Sequence, residues 1–283
     1  MRVGMNLLLW TTHVTDELEP KLAFVKELGF DGVEVPLFEG DAKHYRKLAT
    51  MLDRLGLQRT CSTGLAPEHD PISDDAAVRD AARQRLRWAI ECTQALGGNV
   101  LCGPLHSAFK VFRGRGPTHE EMLRSAETLR AVADEAQQAG VMLAPEALNR
   151  FECYLVNTAS QLRELCQLAD HGSVKAHYDT HHMHIEERNA PAAIADCAPV
   201  LGHVHLSESD RGVPGRGQVD WRGSFAALRE CGYDGWLVIE AFSRLDPQFA
   251  ADIHVWRDYF DEPEDVCRDG LSFVRGSLEK GSL

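Results

Sequence analysis

Four side chains able to bind a cation or move a proton close four apolar runs in the second half of the chain. The runs are Val141-Met-Leu-Ala-Pro-Glu146, Val174-Lys-Ala-His-Tyr-Asp179, His203-Val-His205-Leu and Trp236-Leu-Val-Ile-Glu240. A charged group at the end of an apolar run is costly to bury without a partner. Taken singly, each is as readily a solvated strand end. Four of them at equivalent places, with helical segments between, point to one shared site. Three carboxylates and one imidazole suit a divalent cation such as Mn²⁺ or Mg²⁺, and also admit Co²⁺ or Fe²⁺.

Imidazoles crowd the second of these runs: His177, then Asp179-Thr-His181-His182-Met-His184. By composition alone several could be ligands. Asp179 and His182 stand three residues apart beyond a strand end, so both can face one pocket, and His181 is expected to point elsewhere. His13, His44, His69, His119 and His184 read as surface or loop residues. After the third run comes Ser207-Glu-Ser-Asp-Arg211-Gly-Val-Pro-Gly-Arg216-Gly-Gln-Val-Asp-Trp221, a polar loop long enough to reach over the site. Arg211, nearer the strand end than Arg216, is the expected donor to substrate hydroxyls.

The elements that must position these groups alternate along the chain. Helical patterns end in Gly and apolar strands follow, at Gly29, Gly56, Gly97, Gly140, Gly172, Gly202 and Gly232. Glycine closes a helix in the left-handed conformation without a Cβ penalty. The spacing predicts strands near 2–9, 31–36, 57–63, 99–104, 141–146, 174–179, 203–207 and 236–241. It predicts helices near 18–28, 41–55, 74–96, 118–139, 158–169, 189–197, 221–231 and 263–278. Thr118-x-x-Glu121 and Thr158-x-x-Gln161 fit capping boxes. Eight alternating units favour a closed (β/α)8 barrel of the TIM type, one domain spanning 1–283, with the site at the carboxyl ends of its strands. The absence of a Gly-x-Gly-x-x-Gly or Walker loop after the first strand argues against an open doubly wound sheet. The basic stretch Lys110-Val-Phe-Arg113-Gly-Arg115 is expected to fold over the barrel mouth.

Composition narrows the function. With 283 residues the chain is near the roughly 250 of one such barrel. The net charge of −13, from 30 basic and 43 acidic residues, disfavours nucleic acid as a partner. Eight scattered cysteines with no Cys-x-x-Cys pair argue against a structural zinc and read as a reducing cytoplasm. The apolar start, Met1 to Trp10, is too short to span a bilayer, so no membrane contact is expected. The tail Lys280-Gly-Ser-Leu283 is assigned no role.

The strand-end motifs resemble those of the ketose 3-epimerases, the D-tagatose and D-psicose (D-allulose) 3-epimerase family within the xylose-isomerase-like barrels. The matching segments are Glu146-Ala-Leu-Asn-Arg-Phe-Glu152, Asp179-Thr-His-His182, His203-Val-His205-Leu with Arg211 and Pro-Gly-x-Gly217, and Val238-Ile-Glu240-Ala-Phe242. Val3-Gly-Met5 with Trp10, Gly29-Phe-Asp-x-x-Glu34 and Val255-Trp-Arg-Asp258 fit as well. The resemblance implies Mn²⁺ bound by Glu146, Asp179, His205 and Glu240, with Glu146 and Glu240 also the acid/base pair. It implies that Glu152, His182 and Arg211 hold the sugar. The expected reaction is epimerisation at carbon 3 of free ketoses (D-tagatose, D-psicose or D-fructose, ribulose-type sugars) through a cis-enediolate, in a homodimer or homotetramer. A sugar isomerase or an inosose isomerase or dehydratase of the same superfamily is the rival. A DNA repair nuclease of this fold would need more ligands and a basic face. Pro145, Asn6, Ser62 and Ala241 depart from the family pattern. Asn6 and Ser62 are expected to face the pocket and to bear on which sugar is preferred.

Overall fold

The computed structural model describes residues 1–279, so the Lys280–Leu283 tail lies outside the described residues. Eight parallel strands run β1 Arg2–Asn6, β2 Gly32–Pro36, β3 Gln58–Ser62, β4 Val100–Gly103, β5 Met142–Pro145, β6 Ala176–Asp179, β7 Leu201–Ser207 and β8 Trp236–Glu240. They follow the order β5-β4-β3-β2-β1-β8-β7-β6. Parallel bridges Leu143↔Val174 and Glu146↔His177 join β5 to β6 and close the barrel. The helices are α1 Glu19–Leu28, α2 Ala42–Leu55, α3 Ala76–Leu96, α4 His119–Gln138, α5 Ala159–Ala169, α6 Thr180–Glu186, α7 Ala190–Cys197, α8 Trp221–Glu230, α9 Pro247–Asp252 and α10 Pro263–Glu279. Both capping boxes form, on α4 and α5. Among the described residues no helix is long and apolar enough to cross a membrane.

Strand alternation divides each strand between two cores. Val33, Leu143, Tyr178, Val204, Leu206, Leu237 and Ile239 pack outward against the helices in the main core. The inward residues of the lower barrel form a separate cluster of Val100, Cys102, Ala144, Trp236 and Val238, with Met142 against it. Gly32 makes room for it: a Cβ there would lie 2.3 Å from the Gln58 carbonyl oxygen and 2.7 Å from the Trp236 ring. Continuing the inward set toward the carboxyl ends gives Glu34, Glu146, Asp179, His203, His205 and Glu240. The upper barrel is therefore polar where the lower barrel is apolar.

Several elements differ from the sequence expectation. β1 stops at Asn6, because the Asn6 side chain accepts the Leu8 N–H and caps a 3-10 turn over Leu7–Leu9. Two short helices are new. α6 starts on Asp179, whose Oδ1 accepts the His182 N–H, and α9 starts on Asp246, which accepts from Gln248 and Phe249. Five of the seven expected helix-closing glycines have positive φ; Gly172 and Gly202 do not. After α5 the left-handed residue is Asp170, at φ 45°. Gly202 lies inside β7, where a Cβ would sit 2.5 Å from Lys175 Cβ and 2.7 Å from Met142 Sδ.

Candidate metal and active site

The four strand-end groups converge. Around His205 Nδ1, Glu240 Oε1 lies at 3.3 Å, Asp179 Oδ2 at 3.8 Å and Glu146 Oε1 at 4.0 Å. All four residues are buried. Asp179, His205 and Glu240 form one set of ligand atoms within 4.8 Å of one another, and Glu146, Asp179 and His182 form a second. These groups could hold a metal ion. Two atoms argue that they are built to do so: His205 Nδ1 and Glu146 Oε1 are buried with no hydrogen-bond partner. Buried polar atoms are normally paired, so a pair of orphans facing one space marks a site for an electrophile.

Beneath this site lies a layer that sequence reasoning did not assign. Glu34, on β2, is completely buried and accepts from His205 Nε2 at 2.6 Å and His203 Nε2 at 2.8 Å. Asn6 does not face the pocket as expected. Its amide is wholly buried, donating to Glu34 Oε1 and Glu240 Oε1, both at 3.0 Å. Ser207 Oγ donates to Asp179 Oδ2 at 2.6 Å. His106 Nε2 meets the Glu146 carbonyl at 2.8 Å, and burial pulls this imidazole down to about 4, so it is neutral and donates. The signal for Glu34 was a lone carboxylate in the middle of Gly-Val-Glu-Val-Pro. His106 left no such signal.

Above the site is a cavity of about 640 Å³ at the carboxyl end of the barrel, within the ~300–1,000 Å³ usual for small-molecule sites. Glu146, His205, Glu240, Glu152, His182 and Arg211 all line it, and so does Ser62. Arg211 adopts φ 65°, and its guanidinium donates to Glu240 Oε2 at 2.7 Å. Its Nη2 lies 3.0 Å from His182 Nε2. The Asn149 N–H lies 3.0 Å from His182 Nδ1, so both ring nitrogens face donors and the neutral ring can accept from only one of them. Glu152 is tied to the same segment, accepting from Asn149 Nδ2 at 3.0 Å. Arg216 instead pairs with Asp269 at the outer surface. His181, also buried, contacts the Glu208 and Ser209 carbonyls at 3.1 Å. His69, expected on the surface or in a loop, lies in the short turn Pro67–His69, where it borders the cavity. The basic loop reaches the mouth only at its start. Phe109 lines the cavity and the Lys110 N–H donates to the Glu152 carbonyl, while Arg113 and Arg115 turn away to Asp70 and Glu121.

The electrostatics separate the two glutamates. Burial pushes the Glu146 carboxyl well above its ordinary range, and the charges of Glu240 and Asp179 add to the rise. Burial acts on Glu240 in the same sense, but His205 and Arg211 outweigh it and hold that carboxyl below its ordinary range. Burial also raises Asp179, against the pull of Arg211. The two carboxyls thus shift in opposite directions when no cation is bound; a divalent cation held between them would favour the ionised form of both.

Comparison with known proteins places the chain in a family. Residues 22–275 match the family model of the xylose isomerase-like TIM barrel. The chain is 32% identical over 281 residues to the ketose 3-epimerase of Arthrobacter globiformis, covering 98% of this chain and 97% of the relative. It is 34% identical over 283 residues to the L-ribulose 3-epimerase of Mesorhizobium japonicum, covering 98% and 94%. The crystal structure of a D-allulose 3-epimerase from Methylomonas sp. superposes with a TM-score of 0.92 at 29% identity, covering 98% of each chain.

Proposed function

We propose that this chain, which belongs to the xylose isomerase-like TIM barrel family and to its ketose 3-epimerase branch, is an isomerase that epimerises free ketoses at carbon 3. The observation that carries this reading is the convergence of Glu146, Asp179 and Glu240 on His205 Nδ1 at the floor of the cavity. The donor set of Glu146, Asp179, His205 and Glu240 fits Mn²⁺, with Mg²⁺ and Co²⁺ as alternatives. Such a cation would polarise the ketose carbonyl and stabilise negative charge on its oxygens.

The chain's own residues supply the rest. The ionised carboxylate of the pair Glu146 and Glu240 removes the proton from carbon 3, and the electrons left behind form a cis-enediolate with the neighbouring carbonyl. The protonated carboxyl of the pair returns a proton to the opposite face of carbon 3, so protons balance and the configuration inverts. A positioned acid or base typically contributes about 10²–10⁴-fold. The Arg211 guanidinium and His182 border the cavity together, 3.0 Å apart, with the guanidinium suited to donate to a sugar oxygen. Glu152 borders the same cavity as an acceptor for a hydroxyl. Tagatose-, psicose-, fructose- and ribulose-type sugars are the expected substrates. Trp256 and Leu245, 67% and 60% exposed, suit a contact in a homodimer or homotetramer, which sedimentation would read.

The test is a panel of ketoses incubated with the Mn²⁺-loaded protein in D₂O. The expected product is the carbon-3 epimer carrying one deuterium at carbon 3. A chelator should stop the reaction and added Mn²⁺ should restore it. An aldose as the sole product, or turnover that survives complete removal of metal, would overturn the reading.

A further inference from the structure

Glu34 belongs to neither the ligand set nor the substrate contacts, yet it is the most heavily hydrogen-bonded carboxylate in the barrel interior. Its Oε1 accepts from His205 Nε2 at 2.6 Å and Asn6 Nδ2 at 3.0 Å. Its Oε2 accepts from Thr60 Oγ1 at 2.8 Å, His203 Nε2 at 2.8 Å and Cys102 Sγ at 3.2 Å. These donors come from β1, β3, β4 and β7, all turned inward at the height of Glu34. A wholly buried carboxylate is tolerated only with such partners.

Two of these bonds lead directly to the site above. With His205 Nε2 committed to Glu34, Nδ1 is the atom that faces Glu240, Asp179 and Glu146 without a hydrogen-bond partner of its own. Asn6 uses one amide hydrogen on Glu34 and the other on Glu240 Oε1. Its oxygen is occupied by the Leu8 N–H, so the amide cannot flip without losing all three bonds.

We propose that Glu34 is a positioning residue of the metal centre: it fixes the His205 ring with Nδ1 turned toward Glu240, Asp179 and Glu146, and through Asn6 it sets the direction of Glu240. The proposal rests on a divalent cation occupying the strand-end site and does not depend on which sugar is turned over. A carboxylate behind a ligating imidazole orients the ring and raises its basicity, and its loss typically weakens metal binding about 10–100-fold.

The experiment measures Mn²⁺ affinity by competition with a chelating dye in the wild-type protein, Glu34→Gln and Glu34→Asp. Glu34→Gln should bind Mn²⁺ about 10–100-fold more weakly, and Glu34→Asp, which keeps the charge, should recover part of the loss. A second measurement needs no variant. In the Mg²⁺-loaded wild-type protein, nitrogen NMR of the histidines should find His205 protonated at Nε2 and not at Nδ1. Unchanged Mn²⁺ affinity in Glu34→Gln, even with a lower melting temperature, would reduce Glu34 to a structural role and overturn the proposal. A proton on His205 Nδ1 would do the same. If the wild-type protein binds no divalent cation, the proposal and the metal-dependent reading fall together. If it epimerises ketoses while Glu34→Gln binds Mn²⁺ normally, only the proposal falls.

Discussion

Glu240→Gln keeps the shape of the side chain and removes its charge. In the structure Glu240 Oε1 accepts from Asn6, while Oε2 accepts from Arg211. A Gln amide can serve only one of these sides as acceptor. With its oxygen toward Arg211, its NH₂ meets the Asn6 NH₂, donor against donor. One unmade buried bond costs about 1–3 kcal/mol, too little to unfold a barrel with this core, so the fold persists. The chemical loss is larger. Removing one positioned acid/base group lowers the rate about 10²–10⁴-fold, or roughly 2.7–5.5 kcal/mol of barrier at about 1.36 kcal/mol per decade. The assay follows epimerisation and, separately, deuterium entry at carbon 3 from D₂O, starting from each of two epimeric ketoses. With Glu146 intact, the variant should still exchange the carbon-3 proton of one epimer while failing to interconvert them. Metal content is measured alongside, so that a lost cation is not mistaken for a lost base. Epimerisation within tenfold of wild type, or wild-type exchange in both epimers, would refute the two-carboxylate reasoning.

Arg211→Lys removes the planar fork that reaches both Glu240 and the His182 edge. With a charged hydrogen bond worth about 1.5–3 kcal/mol, kcat/KM should fall roughly 10–150-fold in steady-state assays; an unchanged value would contradict the substrate role. Glu121 accepts from Arg115, the Thr118 N–H and Tyr154. Burial opposes its ionisation, but these donors outweigh it and hold the carboxyl down at about 2. Its stabilisation is thus fully present above the ordinary carboxylate value of roughly 4.3 and is lost as pH falls through about 2. In urea unfolding, Glu121→Gln should be about 1–3 kcal/mol less stable than wild type at neutral pH, with a smaller deficit near pH 3; equal deficits would count against the linkage. Gly32→Ala would press a methyl group against the Gln58 carbonyl and Trp236, so a loss of at least about 1–3 kcal/mol is expected, and an unshifted melting temperature would argue against that packing.

Much of the architecture was legible locally. Strand and helix order, both capping boxes and the four strand-end groups follow from periodicity and caps, which involve residues close in sequence. The misses are equally physical. At Asn6 and Asp179 a side chain turned back onto its own backbone and began a new turn, shortening β1 and starting α6. That turn brings His182 round to Asn149 and Arg211. Gly202 looked like a helix stop because glycine also serves where two layers touch, and only the neighbouring Lys175 and Met142 show which job it has.

By itself the sequence determined which groups could do chemistry and that they sit at the ends of successive parallel strands. Period-two alternation and the βα repeat carry that information. Which of those groups meet was decided by the tertiary structure. Glu34 and His205 are 171 residues apart, and Asn6 and Glu240 are 234 apart. No local pattern encodes such contacts. They arise because closure of the barrel sets the strand register, and with it which inward-facing side chains share a level of the interior. The four strand ends are therefore a property of the chain, while the buried carboxylate beneath His205 and the left-handed Arg211 that reaches back to Glu240 are properties of the closed barrel.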